Sequence, residues 1–128
     1  MSTPRAIVVG GGPAGCAAAY TLAKDSIDAI VLERGRPGKD KTCGDALLPS
    51  ASELISLFGI NQDRLKMLGG CRNDRCDLYV DKYFVRRSEY VGKSFWVIQR
   101  AIIDQEIRNI TAQNTSFIFV TCATDLTI

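Results

Sequence analysis

The sequence predicts an α/β fold built on a parallel sheet, and three observations carry that expectation. An apolar run, Ile7-Val8-Val9, breaks into glycines at positions 10, 12 and 15. An alanine-rich stretch with helical spacing follows, in which Ala14, Ala17, Ala18 and Leu22 fall on one face. A second apolar run, Ala29-Ile30-Val31-Leu32, then ends in an acid, Glu33, 23 residues after Gly10. Strand, tight turn, helix and second strand make a crossover unit, and such a crossover leaves its two strands parallel.

The glycine order is G-x-G-x-x-G, and each glycine has a mechanical task. Gly10 lets the strand turn sharply. Gly12, lacking a β-carbon, lets a pyrophosphate approach the backbone. Gly15 lets the helix lie close to the strand. Pro13 suits the first helical turn, which needs no N–H from it. The helix then turns its free N–H groups and positive dipole end toward the phosphates. A glycine-rich turn alone is a weak signal. The flanking strand, the following helix and the distant acid together predict a Rossmann-like dinucleotide site, with Glu33 accepting from a ribose 2′-hydroxyl. The plainer alternative for Glu33 is a solvated residue at a strand end.

The chain has 128 residues, of which 46% are hydrophobic and 23% charged, enough for one small domain with its own core. Sixteen basic against fourteen acidic residues leave a net charge of +2. No basic run has aromatics threaded through it, so nucleic acid is not an expected partner. No apolar stretch approaches a membrane span, and Met1-Ser2-Thr3-Pro4-Arg5 leads straight into the first strand without a signal peptide. The expected setting is cytoplasmic, where the odd number of cysteines, five, reads as free thiols. Histidine is absent, which removes Ser-His-Asp triads, histidine metal sites and imidazole acid–base chemistry. Catalysis by such a chain needs a cofactor for the difficult chemistry.

Beyond Glu33, residues 34–41 read as an exposed charged loop in which Arg34 and Arg36 are candidates to lie near phosphate or adenine. Ser50 and Glu53 stand in the S-x-x-E relation that caps a helix, predicting one over residues 51–58 closed by Gly59. Asn61 is placed to cap a second short helix ended by Gly69-Gly70. The pattern changes at Cys71. Asp77–Val80 and Tyr83–Val85 predict a hairpin around Asp81-Lys82, and Phe95–Ile98 another strand. Ile103, Ile107 and Ile110 give a helical stripe after Arg100, and Ser116–Val120 reads as a buried strand. The expected division is a dinucleotide-binding part at residues 1–70 and 100–128, with a β-rich excursion at 71–99 forming a substrate-side layer. Cys71 and Cys76 do not have C-x-x-C spacing, and no metal site is expected. Arg100 opens a helix at its positive end, a position eased by a nearby anion such as a pyrophosphate; an arginine simply reaching water is the alternative.

The glycine fingerprint, Glu33-Arg34, Cys43-Gly44-Asp45 and the run Arg100–Ile107 resemble the geranylgeranyl reductase family of FAD-dependent oxidoreductases, within the p-hydroxybenzoate hydroxylase-like fold group. The last run follows the family pattern R-x-x-F-D-x-x-L, with Ile103 and Ile107 replacing the usual Phe and Leu. The resemblance implies FAD as cofactor. Gly10, Gly12, Pro13, Ala14 and Gly15 would meet the pyrophosphate, and Glu33, with Arg34 beside it, the adenosine ribose. Arg100 would reach the phosphate and ribose portion. Cys43, Gly44 and Ala46 would approach the ribityl and isoalloxazine end, and Ala123 the adenine. Cys43 is a candidate flavin-proximal residue, or a small apolar residue in a tight loop; no catalytic nucleophile is assigned.

The implied activity is reduction of an isoprenoid double bond. An alkene carbon takes a hydride from N5 of reduced flavin and a proton from solvent or an acid, with NADPH or ferredoxin as possible reductant. A prenyl substrate implies peripheral membrane contact. A flavin monooxygenase or halogenase of the same fold group, or a non-catalytic dinucleotide-binding module, is the alternative. Family members are longer, and the later Gly-Asp segment at the flavin ribityl chain is absent. The sequence therefore reads as an N-terminal portion truncated at its C-terminus, inactive alone and inclined to self-associate through an uncovered sheet face.

Overall fold

The computed structural model describes residues 5–35 and 41–119. Within them, β1 (Ala6–Val9), α1 (Pro13–Lys24), β2 (Ala29–Glu33), β3 (Ala46–Leu47), α2 (Pro49–Ser56) and α3 (Gln62–Met67) come first in the chain. They are followed by β4 (Cys71–Asn73), β5 (Arg75–Val80), β6 (Tyr83–Glu89), β7 (Phe95–Val97), α4 (Arg100–Ala112) and β8 (Ser116–Phe119). The chain divides into two compact units, one of Met1–Lys41 with Ala101–Ile128 and the other of Thr42–Arg100. Residues 42–70, expected beside the nucleotide-binding sheet, thus group with the β-rich stretch. The cause is pairing: β3 is antiparallel to β7, Ala46 opposite Val97, and β4 flanks β7 on its other side.

The first unit holds the expected parallel sheet, in the order β1-β2-β8. Val8 lies opposite Val31, and Val31 opposite Phe117, so β2 is central and fully paired. That is strand order 3-2-1 of a doubly wound half. α1 starts at Pro13 with Gly12 as its N-cap. It ends where Asp25 and Ser26 donate back to Thr21 and Ala23, Ser26 adopting a positive φ of 57°. Its buried residues are Cys16 and Ala19, while Ala14 and Ala18 face solvent. The predicted stripe is therefore rotated: Gly15 draws the helix against the turn, and that contact decides which face is inward.

α4 buries Ile103 and Ile107 as expected, but the next buried position is Thr111 rather than Ile110. Thr111 is tolerated there because its hydroxyl donates to the Ile107 carbonyl at 2.8 Å. On the sheet, Ile7 and Val9 are 56% and 71% exposed, and Ile118 of β8 is 43% exposed. The face of β8 that carries Ser116 and Ile118 is therefore exposed, and Val120 of the expected strand lies outside the described residues.

The second unit is centred on Trp96, Ile60 and Leu65, each 1% exposed. α2 begins at Pro49 with Leu48 as its N-cap, so Ser50 lies inside the helix and the Ser50–Glu53 capping box does not form. Proline at the first helical position fixes the start one residue before the serine can act. α3 is capped as predicted, the Asn61 side chain accepting from the Arg64 N–H at 2.9 Å. The hairpin β5–β6 forms over a longer span than expected, turning at Asp81 with φ 54°.

Candidate dinucleotide-binding site

The glycine turn is built for two different reasons at its three positions. Gly10 sits at φ 101°, a conformation that side chains disfavour, and its N–H donates to the Leu32 carbonyl at 2.7 Å. A β-carbon on Gly15 would lie 1.8 Å from the Gly10 carbonyl oxygen, so glycine alone allows α1 to close on the turn. Gly12 is different. Its backbone is ordinary extended chain, with φ −77°, and a β-carbon there would meet nothing within 4 Å. Neither folding nor packing demands glycine at 12. Open space over a bare Cα, beside the free first-turn N–H groups of Ala14 and Gly15, is what a diphosphate requires.

Glu33 closes one side of this turn. Its carboxylate accepts from the Gly11 N–H and, at 2.5 Å, from the Gly35 N–H. The side chain is only 12% exposed, which rules out the simple solvated residue considered from sequence. Each carboxylate oxygen keeps a lone pair beyond these bonds, so a ribose hydroxyl is still a feasible donor. Arg34 is exposed at the end of β2. Arg108 of α4 donates from Nε to the Gly11 carbonyl at 2.7 Å and places Nη2 3.7 Å from Glu33 Oε2. Sequence gave no sign of Arg108, because it stands 97 residues from Gly11 in an otherwise ordinary helix face. Cys16 fills the floor of the turn, its thiol donating to the Gly11 carbonyl at 3.5 Å. Burial pushes that thiol up from its usual range, against a lowering contact from Thr111, which leaves Cys16 a packing residue rather than a nucleophile.

The second unit gathers the other group of candidates. Cys43 and Gly44 are exposed, and Ala46 lies exposed in β3. Arg100 Nη1 is 3.9 Å from Cys43 Sγ, a weak contact. Asp45, part of the Cys43-Gly44-Asp45 motif but assigned no role from sequence, joins these residues. Its Oδ1 accepts from the Arg100 N–H at 2.9 Å and its carbonyl from the Ile98 N–H at 2.9 Å, with φ at 55°. The anion at the start of α4 is thus this carboxylate, capping the helix from 55 residues upstream. A Cys-Gly-Asp segment before a helix and a distant Arg at another helix start was the available signal. Cys71 and Cys76 are exposed free thiols, and among the described residues no cluster of acidic and sulfur groups is arranged to hold a metal. Ala123 lies outside the described residues.

A parallel sheet, a glycine turn with open space over the Cα of Gly12 and an acid at the tip of the neighbouring strand define the class: a dinucleotide-binding segment. Residues 5–48 match the FAD dependent oxidoreductase family DAO. The chain is 32% identical over 113 residues to the chloroplastic geranylgeranyl diphosphate reductase of Nicotiana tabacum, covering 85% of this chain and 22% of that protein. It is 41% identical over 54 residues to the menaquinone reductase of Mycolicibacterium smegmatis, covering 42% of this chain and 13% of that protein. The matched segments therefore cover about a fifth or less of the length of these relatives.

Among solved structures, PqsL of Pseudomonas aeruginosa, described as a probable FAD-dependent monooxygenase, matches with a TM-score of 0.74 at 18% identity. That match covers 89% of this chain and 32% of PqsL. The myxobacterial chondrochloren halogenase CndH matches with a TM-score of 0.74 at 19% identity, over 88% of this chain and 27% of CndH. At these identities the likeness establishes the fold alone: an α/β architecture of which the chain forms part.

Proposed function

We propose that the chain supplies the adenosine-diphosphate half of an FAD site in a flavin-dependent oxidoreductase that reduces isoprenoid carbon–carbon double bonds. The observation that supports the FAD reading is the vacant space over Gly12 in a turn where the fold itself requires Gly10 and Gly15. The backbone N–H groups of Gly12, Ala14 and Gly15 would hold the diphosphate, with Pro13 fixing the helix start, and Glu33 would hold the adenosine ribose. Arg100, whose N–H donates to Asp45, would serve the phosphate and ribose portion, and Cys43, Gly44 and Ala46 the ribityl and flavin end. When bound, the flavin supplies hydride chemistry; these residues bind and orient it. The C=C assignment rests on the tobacco reductase match, which runs through both units. NADPH or ferredoxin would reload the flavin, and a prenyl substrate would bring the protein to a membrane surface. No helix among the described residues is long and apolar enough to cross a membrane.

The test is reconstitution. The purified chain, titrated with FAD and separately with FMN at equilibrium, is expected to bind FAD weakly and in preference to FMN, because only the adenosine-diphosphate half of the site is present. A colourless chain with no measurable FAD affinity would sink the proposal. A monooxygenase or halogenase is the second reading, favoured by the folds of PqsL and CndH. With a chain extended to the length of its relatives, substrate-dependent oxygen consumption would select that reading, and anaerobic alkene reduction the first.

A further inference from the structure

We propose that Arg108 is a positioning residue for the adenosine-diphosphate end of the cofactor, acting through Gly11 and Glu33 without touching the ligand. The inference rests on the FAD reading above. The contacts form a closed ring. The Gly11 N–H donates to Glu33 Oε2, that same oxygen lies 3.7 Å from Arg108 Nη2, and Arg108 Nε returns to the Gly11 carbonyl at 2.7 Å. One guanidinium fork therefore grips both the turn and the acid that the turn holds. The ring is sheltered, with the Arg108 and Glu33 side chains 17% and 12% exposed.

Two consequences follow for a ligand. First, Gly11 is fixed at both its N–H and its carbonyl, so the amides of the next residues are presented in one orientation. Second, the Glu33 carboxylate is compensated from behind. An uncompensated carboxylate at the edge of the turn would repel the diphosphate that the turn is shaped to accept. With Arg108 in place, Glu33 offers its remaining lone pairs to ribose hydroxyls while its charge is offset. Arg108 does this from α4, so the sequence distance hides a contact that the first turn depends on.

The test is a double-mutant cycle on FAD affinity, read by flavin fluorescence, with Arg108→Gln, Glu33→Gln and the double variant. Hydrogen exchange at the Gly11 amide is followed in the ligand-free chain. Arg108→Gln is expected to weaken FAD binding about tenfold, the scale of one charge-assisted hydrogen bond. On the Glu33→Gln background the same change should cost less than in the wild type, because one of its two routes, compensation of the carboxylate, is gone. Gly11 exchange should accelerate in Arg108→Gln, and Arg108→Lys, which keeps the charge without the fork, should fall between. If Arg108→Gln does not fold, Arg108→Lys carries the cycle. Additive losses, or unchanged Gly11 exchange, would overturn the proposal. A wild-type chain that binds no FAD while its Gly11 exchange still depends on Arg108 would overturn the flavin reading, and the cofactor role of Arg108 with it.

Discussion

Gly12 and Gly15 look alike in the sequence and differ in what they do. At Gly15 a methyl group would sit 1.8 Å from the Gly10 carbonyl oxygen, a contact that only separation of α1 from the turn relieves. Gly15→Ala is expected to destabilise the chain by about 3 kcal/mol or more, measured by thermal or denaturant unfolding. Asp45 shows a different limit on what sequence reveals. Its neighbours Cys43 and Gly44 were singled out by resemblance, yet Asp45 does the joining, and only the fold brings it to Arg100. Asp45→Ala is expected to cost about 1 kcal/mol from the lost cap. Asp45→Asn should cost less, because asparagine keeps an acceptor and tolerates the positive φ of 55°. A larger loss for Asn than for Ala, by the same unfolding measurement, would contradict the capping account.

At the scale of elements, the strongly patterned segments were legible. The β1–α1–β2 unit, α3 with its Asn61 cap, the hairpin and the helix opened by Arg100 all follow from local chemistry. Misreadings arose where two local signals competed or where a neighbour outside the segment decided. Pro49 overrode the Ser50–Glu53 cap, and close approach at Gly15 turned Cys16 and Ala19 inward in place of Ala14 and Ala18. In α4, Ile107 is 2% exposed, and Ile107→Ala should destabilise the first unit by about 3 kcal/mol through the cavity it leaves.

The hairpin is held differently. Arg87 donates twice to Asp77, both at 2.8 Å, across solvent-facing strands. The hydrogen bonds from Arg87 keep the Asp77 carboxyl below the ordinary carboxylate range. A carboxyl whose folded-state pKa is depressed contributes stability above its unfolded pKa, and that contribution fades as pH falls through the folded value. Acid titration should loosen the hairpin only below the usual carboxylate range, seen as a change in the Tyr79–Phe84 edge contact by NMR. Asp77→Asn should remove that step.

For the whole molecule, the sequence showed a parallel sheet and a β-rich stretch, and both exist. The boundary between them was not legible, because β3 and β4 are each too short to announce that they pair with β7. The exposed face of the first unit's sheet, with Val9 at 71%, bears on a larger-scale expectation. The proposed self-association through that face predicts concentration-dependent sedimentation of the chain, diminished by Val9→Lys; a monomer at all concentrations would remove it.

The central claim is that the turn after β1 is shaped for the FAD diphosphate. Its most direct test is a pair of FAD titrations, wild type against Gly12→Ala, run beside their unfolding curves. The account predicts an unchanged unfolding midpoint, since nothing lies within 4 Å of a new β-carbon, together with a loss of FAD affinity of at least about tenfold. Equal affinity in the two proteins, or no FAD binding by the wild type, would contradict it.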